Sequence, residues 1–193
     1  MGRTDNFLDP ARVTLSGNRC LVQLTELAFT VDNRESTEAW IVVSCATSVE
    51  NHVNRLLEAL VATIRVENSA FMSALLAEVG DEIYRTWESR FHWLNKGFGI
   101  AVSGDKEIQN YMAVVELRNA LVHGQDQLTP SQSRDLSKSL ALKRKITRVL
   151  GVEFEGTHMH LGRAAARLSI EICRTAVVHL DKSVLSFFPD LPV

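Results

Sequence analysis

Apolar residues recur along most of the chain at the three-and-four spacing that is typical of amphipathic α-helices. Capping residues and glycines divide this pattern into separate segments. The predicted helices cover about residues 19–30, 36–66, 69–79, 81–93, 105–123, 129–150 and 161–187. A short strand at the start of the first segment is the alternative there. The pattern therefore predicts an all-α fold, an antiparallel helical bundle of five to seven helices.

The start of the chain differs from the rest. Residues 1–18 are mostly polar and contain Pro10 and Gly17, which predicts an N-terminal arm. The remaining residues, 19–193, are predicted to form a single helical domain, because a chain of 193 residues is long enough for one core.

The helix that ends near Gly124 carries a cation on its apolar side. On a wheel of about 100° per residue, Arg118 lies in the middle of the stripe formed by Tyr111, Val114, Leu121 and Val122. Burying a guanidinium is unfavourable unless a carboxylate or a phosphate contacts it. We therefore expect Arg118 to have an anionic partner.

Glu50 lies in a similar position on the long second helix, inside the edge of an apolar arc between Leu57 and Val61. Two buried opposite charges in contact remove most of the cost of burying either one. The sequence therefore predicts that the two helices pack side by side, with Glu50 within about 6 Å of the Arg118 guanidinium. In that position Glu50 would support Arg118 by holding it toward a ligand.

Asn119 and His123 are four residues apart and share the polar flank beside Arg118. The three side chains supply a permanent cation, an amide and an imidazole, which can bind a phosphodiester and move a proton. The alternative is an arginine that extends out of a core stripe and a histidine that caps a helix. The residues alone leave both interpretations open.

The run from Arg118 to His123, Arg-Asn-Ala-Leu-Val-His, resembles the Arg-polar-x-x-x-His signature of HEPN domains. The longer string LRNALVHG is most similar to the RiboL-PSP-HEPN group. The helix that contains Glu50 is similar to the first helix of that family, and the resemblance covers roughly residues 36–187. Gln125 stands where some HEPN toxins carry a tyrosine that an antitoxin modifies.

The resemblance implies a metal-independent endoribonuclease, without a cofactor, of the kind found in toxin–antitoxin and phage-defence systems. The RNA 2′-hydroxyl would attack the adjacent phosphorus and give a cyclic phosphate. His123 would act as acid or base, Arg118 would stabilise the developing charge, and Asn119 would orient either group. A homodimer with both motif helices facing one cleft is implied as well, with an antitoxin protein as a candidate partner.

Two other functions remain open. One is a non-catalytic HEPN-like dimer module that binds RNA or a protein through the same cleft. The other is a purely structural dimerisation domain.

The helix that follows the motif is the most basic stretch of a chain whose net charge is −2. Its candidate RNA-binding residues are Lys138, Lys143, Arg144, Lys145 and Arg148. A positive helix face can bind phosphates along a strand, although a solvated face is the alternative. With this net charge, RNA binding must come from a local surface of this kind.

Three cysteines without close spacing argue against a disulfide framework and against a cysteine-based zinc site. No apolar run approaches the length of a membrane span, and the first residues do not resemble a signal peptide. The sequence therefore predicts a cytoplasmic protein without a membrane segment.

Overall fold

A computed structural model describes residues 13–33, 37–65 and 70–191 of the chain. In these ranges the elements are α1 Leu15–Asn33, α2 Glu38–Arg65, α3 Ala70–Arg85, α4 Trp87–His92, a π-helical turn Trp93–Gly97, α5 Lys106–His123, α6 Pro130–Ser133, α7 Leu136–Leu150, β1 Glu153–Glu155, β2 His158–His160 and α8 Arg163–Phe187. The predicted all-α fold is confirmed, and the short antiparallel hairpin β1–β2 lies between the predicted helices 129–150 and 161–187.

The bundle is built around α2 and α8, which pack against each other. Both also contact α1 and α5, whereas α1 and α5 have no substantial contact with each other in the described residues. These two helices therefore lie on opposite sides of the α2–α8 pair. Thr14 contacts Asp181 and Asp32 pairs with Arg167, so α1 and α8 run antiparallel.

Two helix boundaries differ from the prediction. Gly80 lies inside α3 instead of ending it, because a single glycine in a helix costs only about 1 kcal/mol. The break comes at Thr86, whose side chain accepts a hydrogen bond from the Ser89 amide and begins α4. Asp135 accepts from the Lys138 amide and divides the predicted 129–150 helix into α6 and α7. This division gives eight helices in the described ranges.

At the start of α2 the Thr37 hydroxyl accepts a hydrogen bond from the Trp40 amide at 3.3 Å, close to the predicted start at residue 36. Ser36 itself lies outside the described residues, as does Ser69, the predicted start of the third helix. No helix in the described ranges combines the length and the hydropathy that a membrane span requires.

The predicted boundary of the N-terminal arm at residue 18 is too late, because α1 begins at Leu15 and both Thr14 and Gly17 are buried. Residues 1–12 of the predicted arm lie outside the described residues. The start of α1 is held by the carboxylate of Asp181 from α8.

Asp181 is completely buried and accepts hydrogen bonds from the amide and the hydroxyl of Thr14, both at 2.8–2.9 Å. His52, from α2, lies with Nε2 3.1 Å from the same carboxylate, in close contact but poorly aligned for a hydrogen bond. Its Nδ1 lies 3.1 Å from the Ser16 hydroxyl. A Cβ on Gly17 would lie 1.9 Å from Asp181 Oδ2, so only glycine fits this approach. We call these five residues the N-terminal clasp.

All three cysteines, Cys20, Cys45 and Cys173, are free and at most 2 % exposed. Burial raises the pKa of the Cys20 thiol to about 12 and raises the pKa of Cys173 well above its ordinary value. Since the thiolate is the reactive form, we expect none of the three to react with a thiol reagent at pH 8 in the folded protein. Titration with such a reagent should detect all three after unfolding in guanidinium. Reaction of a cysteine in the folded state would contradict this packing.

Candidate functional site

Arg118 and Asn119 lie side by side near the end of α5. The Nη1 group of Arg118 donates a hydrogen bond to Asn119 Oδ1 at 3.1 Å. The Nε group of Arg118 is buried and has no hydrogen-bond partner in the described residues. A buried donor without a partner is unfavourable by about 1–3 kcal/mol, so this position is costly for the free protein.

Both side chains line a cavity of about 350 Å³ between α2, α4 and α5. Its wall is half polar and half apolar. Its charged, polar and aromatic lining includes Glu50, Arg85, Trp87, Arg90, Tyr111, Glu116, Arg118 and Asn119. This volume is within the range of small-ligand sites, about 300–1,000 Å³.

Glu50 lines this pocket, but its ionic partner differs from the prediction. The Arg90 guanidinium donates to Glu50 Oε1 at 2.7 Å, and no carboxylate of the described residues lies within ion-pair distance of Arg118. Glu50 and Arg118 therefore form no direct ion pair, although both line the same pocket. Periodicity placed both charges correctly toward the interior, but a second arginine on α4 competes for the carboxylate.

Arg90 is only 4 % exposed and is held from three directions. Its Nε donates to Asn54 Oδ1 at 2.8 Å, Glu50 takes a second nitrogen, and the guanidinium lies 5.0 Å from the centre of the Trp87 ring. Sequence reasoning missed this residue. Its spacing could have identified it, because Arg90 lies seven residues after Ile83 and four before Leu94, and both are buried.

The charges of the pocket favour an anion. Arg85 pairs with Glu82 and Arg90 pairs with Glu50. Arg118 is the pocket arginine that has no carboxylate partner in the described part of the chain. A phosphate oxygen entering the pocket would therefore find one uncompensated guanidinium, whose buried Nε lacks an acceptor.

Tyr111 forms part of the wall without offering an acid or base. Its hydroxyl donates to the carbonyl of Ala46 at 3.2 Å, and burial raises its pKa well above the ordinary value. The phenol therefore stays protonated and turned away from a ligand. Proton transfer in this region requires a different group.

His123 does not line the pocket. It is exposed at the end of α5, five residues or about 7.5 Å along the helix axis from Arg118. The turn after α5 requires glycine at position 124, because a Cβ there would lie 1.9 Å from the carbonyl oxygen of Gln127. The following turn is fixed on the hairpin, since the Met159 amide donates to the Asp126 carbonyl at 2.9 Å.

The five predicted RNA-binding residues do not share one face of α7. Lys138, Arg144, Lys145 and Arg148 fall within an arc of about 120° on the helix wheel. Lys143 lies on a different side, where its ammonium donates to the Gly156 carbonyl at 2.6 Å and lies 5.8 Å from the Phe154 ring. Lys143 therefore holds the hairpin and is the weakest candidate of the five.

Lys145 connects the basic face with the pocket. Burial lowers the pKa of its ammonium, and this effect outweighs the opposing attraction of Glu116. Glu116 lines the pocket and accepts a hydrogen bond from Gln132 at 2.6 Å. The arc of cations and the pocket are thus neighbouring parts of one surface.

Candidate metal ligands are not clustered in the part of the chain that the structure describes. In the described ranges no three histidine, cysteine, aspartate or glutamate side chains are placed to hold one metal ion. His158 and His160 are both exposed on the hairpin, on either side of the buried Met159.

Comparison with known proteins finds no matching family model, no matching curated protein and no matching solved structure.

Proposed function

We propose that the protein is a metal-independent endoribonuclease of the HEPN type. The observation that carries the proposal is the Arg118 guanidinium, whose Nε is buried without an acceptor in a pocket where the other arginines are paired. A buried arginine with a structural role normally has an acceptor for each buried N–H group. A binding site leaves such a donor unpaired until the ligand supplies the acceptor. The motif resemblance then points to an RNA phosphate as the ligand.

In the proposed reaction the RNA 2′-oxygen forms a bond to the adjacent phosphorus while the bond to the 5′-oxygen of the next nucleotide breaks. A histidine accepts the 2′-hydroxyl proton and a second acid gives a proton to the leaving 5′-oxygen. Arg118 stabilises the charge that develops on the phosphoryl oxygens, and Asn119 orients the guanidinium through their hydrogen bond. The products are a 2′,3′-cyclic phosphate and a 5′-hydroxyl.

One protomer offers one His123, and it lies outside the pocket. The proposal therefore includes a homodimer in which two motif helices face one cleft and supply two histidines. Val122, beside His123, is 45 % exposed, so this end of α5 is accessible to a second motif helix. The RNA strand would run from the pocket along the face of α7 that carries Lys138, Lys145 and Arg148.

The test is incubation of purified protein with RNA in EDTA. We expect cleavage to persist, to leave a 2′,3′-cyclic phosphate, and to decrease about 10²-fold or more in His123→Ala, the usual scale for losing a general acid or base. An oligonucleotide with a single 2′-deoxy substitution at the cleaved position should be resistant. His160→Ala, which changes an exposed histidine of the hairpin, is the matched control and should cleave normally.

A requirement for a divalent metal, or normal cleavage by His123→Ala, would overturn the nuclease proposal. The exposed position of His123 favours one alternative, a non-catalytic dimer module that binds RNA or a protein partner. Binding of RNA that depends on Arg118, without cleavage under any condition, would support that function instead.

The cellular setting is proposed from the resemblance alone. It is a cytoplasmic toxin–antitoxin or phage-defence system with an antitoxin protein as partner. Co-expression with the product of the neighbouring gene tests it, since an antitoxin should bind the protein and suppress cleavage.

A further inference from the structure

The outer side of α1 carries three large apolar side chains at intervals of seven residues. Leu15 is 48 % exposed, Val22 is 51 % exposed and Phe29 is 67 % exposed. Seven residues are nearly two helical turns, so the three form one stripe that drifts only about 20° per interval. The opposite side of α1 is buried against α2 and α8, so the stripe is not part of the core.

A cleft of about 430 Å³ lies along the second half of this stripe, from Val22 to Thr30. It is lined by Val22, Thr25, Glu26, Phe29 and Thr30, and its wall is largely apolar. Isolated exposed apolar residues are common on protein surfaces, whereas several on one side of a helix favour a contact surface.

Two charges flank the stripe on the same side. Arg19 is three residues before Val22 and Glu26 is four residues after it, and both are exposed. Neither has an ion-pair partner among the residues that the structure describes. The two charges have opposite signs and lie on either side of Val22. A two-fold rotation about an axis at Val22 would therefore bring the arginine of one copy opposite the glutamate of another.

We propose that α1 binds α1 of a second copy of this chain, antiparallel, around a two-fold axis at Val22. Leu15 of each copy then packs against Phe29 of the other, and Val22 packs against its own counterpart. Arg19 of each copy faces Glu26 of the other, so two ion pairs form on the rim. Such an interface is isologous, with the same residues contributed by both protomers.

The size of the surface sets the expected strength. A helix of 19 residues is about 28 Å long, and one helix pair buries less surface than most stable dimers. The dimer therefore dissociates on dilution. Because α1 and α5 lie on opposite sides of the bundle, the pairing leaves the Arg118 pocket open and does not depend on the proposed nuclease activity.

Thiol cross-linking tests the register. With a short bismaleimide, Val22→Cys should cross-link to itself, and a mixture of Leu15→Cys with Phe29→Cys should give a heterodimer while neither variant alone does. The native cysteines are buried and should not compete. Leu136→Cys on α7, where the native side chain is 76 % exposed, is the control for random collision and should remain monomeric in the gel.

Charge exchange tests the rim independently of any cross-linker. Arg19→Glu and Glu26→Arg should each weaken the α1–α1 pairing at least threefold, measured by sedimentation as association in addition to the homodimer proposed at α5. The variant with both exchanges should restore the pairing. All three should keep the circular dichroism of the parent, because both positions are exposed. A chain that is monomeric up to high micromolar concentration, self-linking of Leu15→Cys alone, or a double variant as weak as the single ones would overturn the proposal.

Discussion

Replacing Asp181 with alanine is expected to lower the free energy of unfolding by about 3 kcal/mol or more. The variant would leave the Thr14 amide, the Thr14 hydroxyl and the His52 Nε2 buried without the carboxylate that they contact. Each buried donor left unpaired costs about 1–3 kcal/mol. Urea denaturation followed by circular dichroism measures the change. Asp190→Ala, at an exposed aspartate beyond the end of α8, should be nearly neutral.

Gly17 provides a second measurement of the same clasp. Gly17→Ala should destabilise the protein because its Cβ would overlap Asp181 Oδ2. In the variant that carries both Gly17→Ala and Asp181→Ala, the new Cβ no longer overlaps a carboxylate. Its loss of unfolding free energy should therefore be clearly smaller than the sum of the two single losses. Additive losses would mean that the two residues act separately and that the clasp does not operate as a unit.

Replacing Arg118 with methionine is expected to reduce RNA cleavage about 10²–10³-fold while leaving stability unchanged or slightly increased. The loss of activity follows from removing the pocket guanidinium that has no carboxylate partner in the described part of the chain. The stability result follows from Nε, since methionine fills a similar volume without a buried unpaired donor. Single-turnover cleavage and urea denaturation of the same preparation measure both effects.

Arg90→Met is the matched control because Arg90 lines the same pocket. Here the replaced guanidinium has partners, and the change leaves Glu50 and Asn54 unsatisfied. We expect a loss of about 2 kcal/mol, less than for a fully buried pair because the Glu50 side chain is 32 % exposed. If Arg118→Met is as destabilising as Arg90→Met, Arg118 has a structural role and the nuclease proposal loses its main support.

Local patterns in the sequence predicted the long helices well. The long apolar arc of α2 gave its extent to within two residues, and Asp105 and Gly124 marked both ends of α5. Gly80 was misleading, since helix breaks depend on whether a cap such as Thr86 offers a better start than continuation. Cap geometry depends on neighbouring elements, and a single sequence does not contain that information.

Local patterns also predicted the buried charges of the site but not the partners of those charges. Periodicity identified Glu50 and Arg118 as charges on apolar faces, because that property depends on one helix only. The partner of each charge depends on which helices meet, and the position of Arg90 on α4 was decisive. His52 and Asp181 carry the same signal of a titratable group at core spacing, and both were missed. Charges at core spacing are thus predictable, whereas their pairing is not.

The central position of α8 has a consequence for synthesis. This helix completes the core between α1, α2 and α5, yet it follows all of them in the chain. A nascent chain therefore exposes the inner faces of three helices until residues 163–187 have left the ribosome. Thr14 remains without its hydrogen-bond acceptor Asp181, which follows 167 residues later, until then. Contacts between residues so far apart in the chain form late, and until then the apolar faces of α1, α2 and α5 are open to chaperones. A premature stop before α8 should yield an aggregating fragment rather than a smaller folded domain.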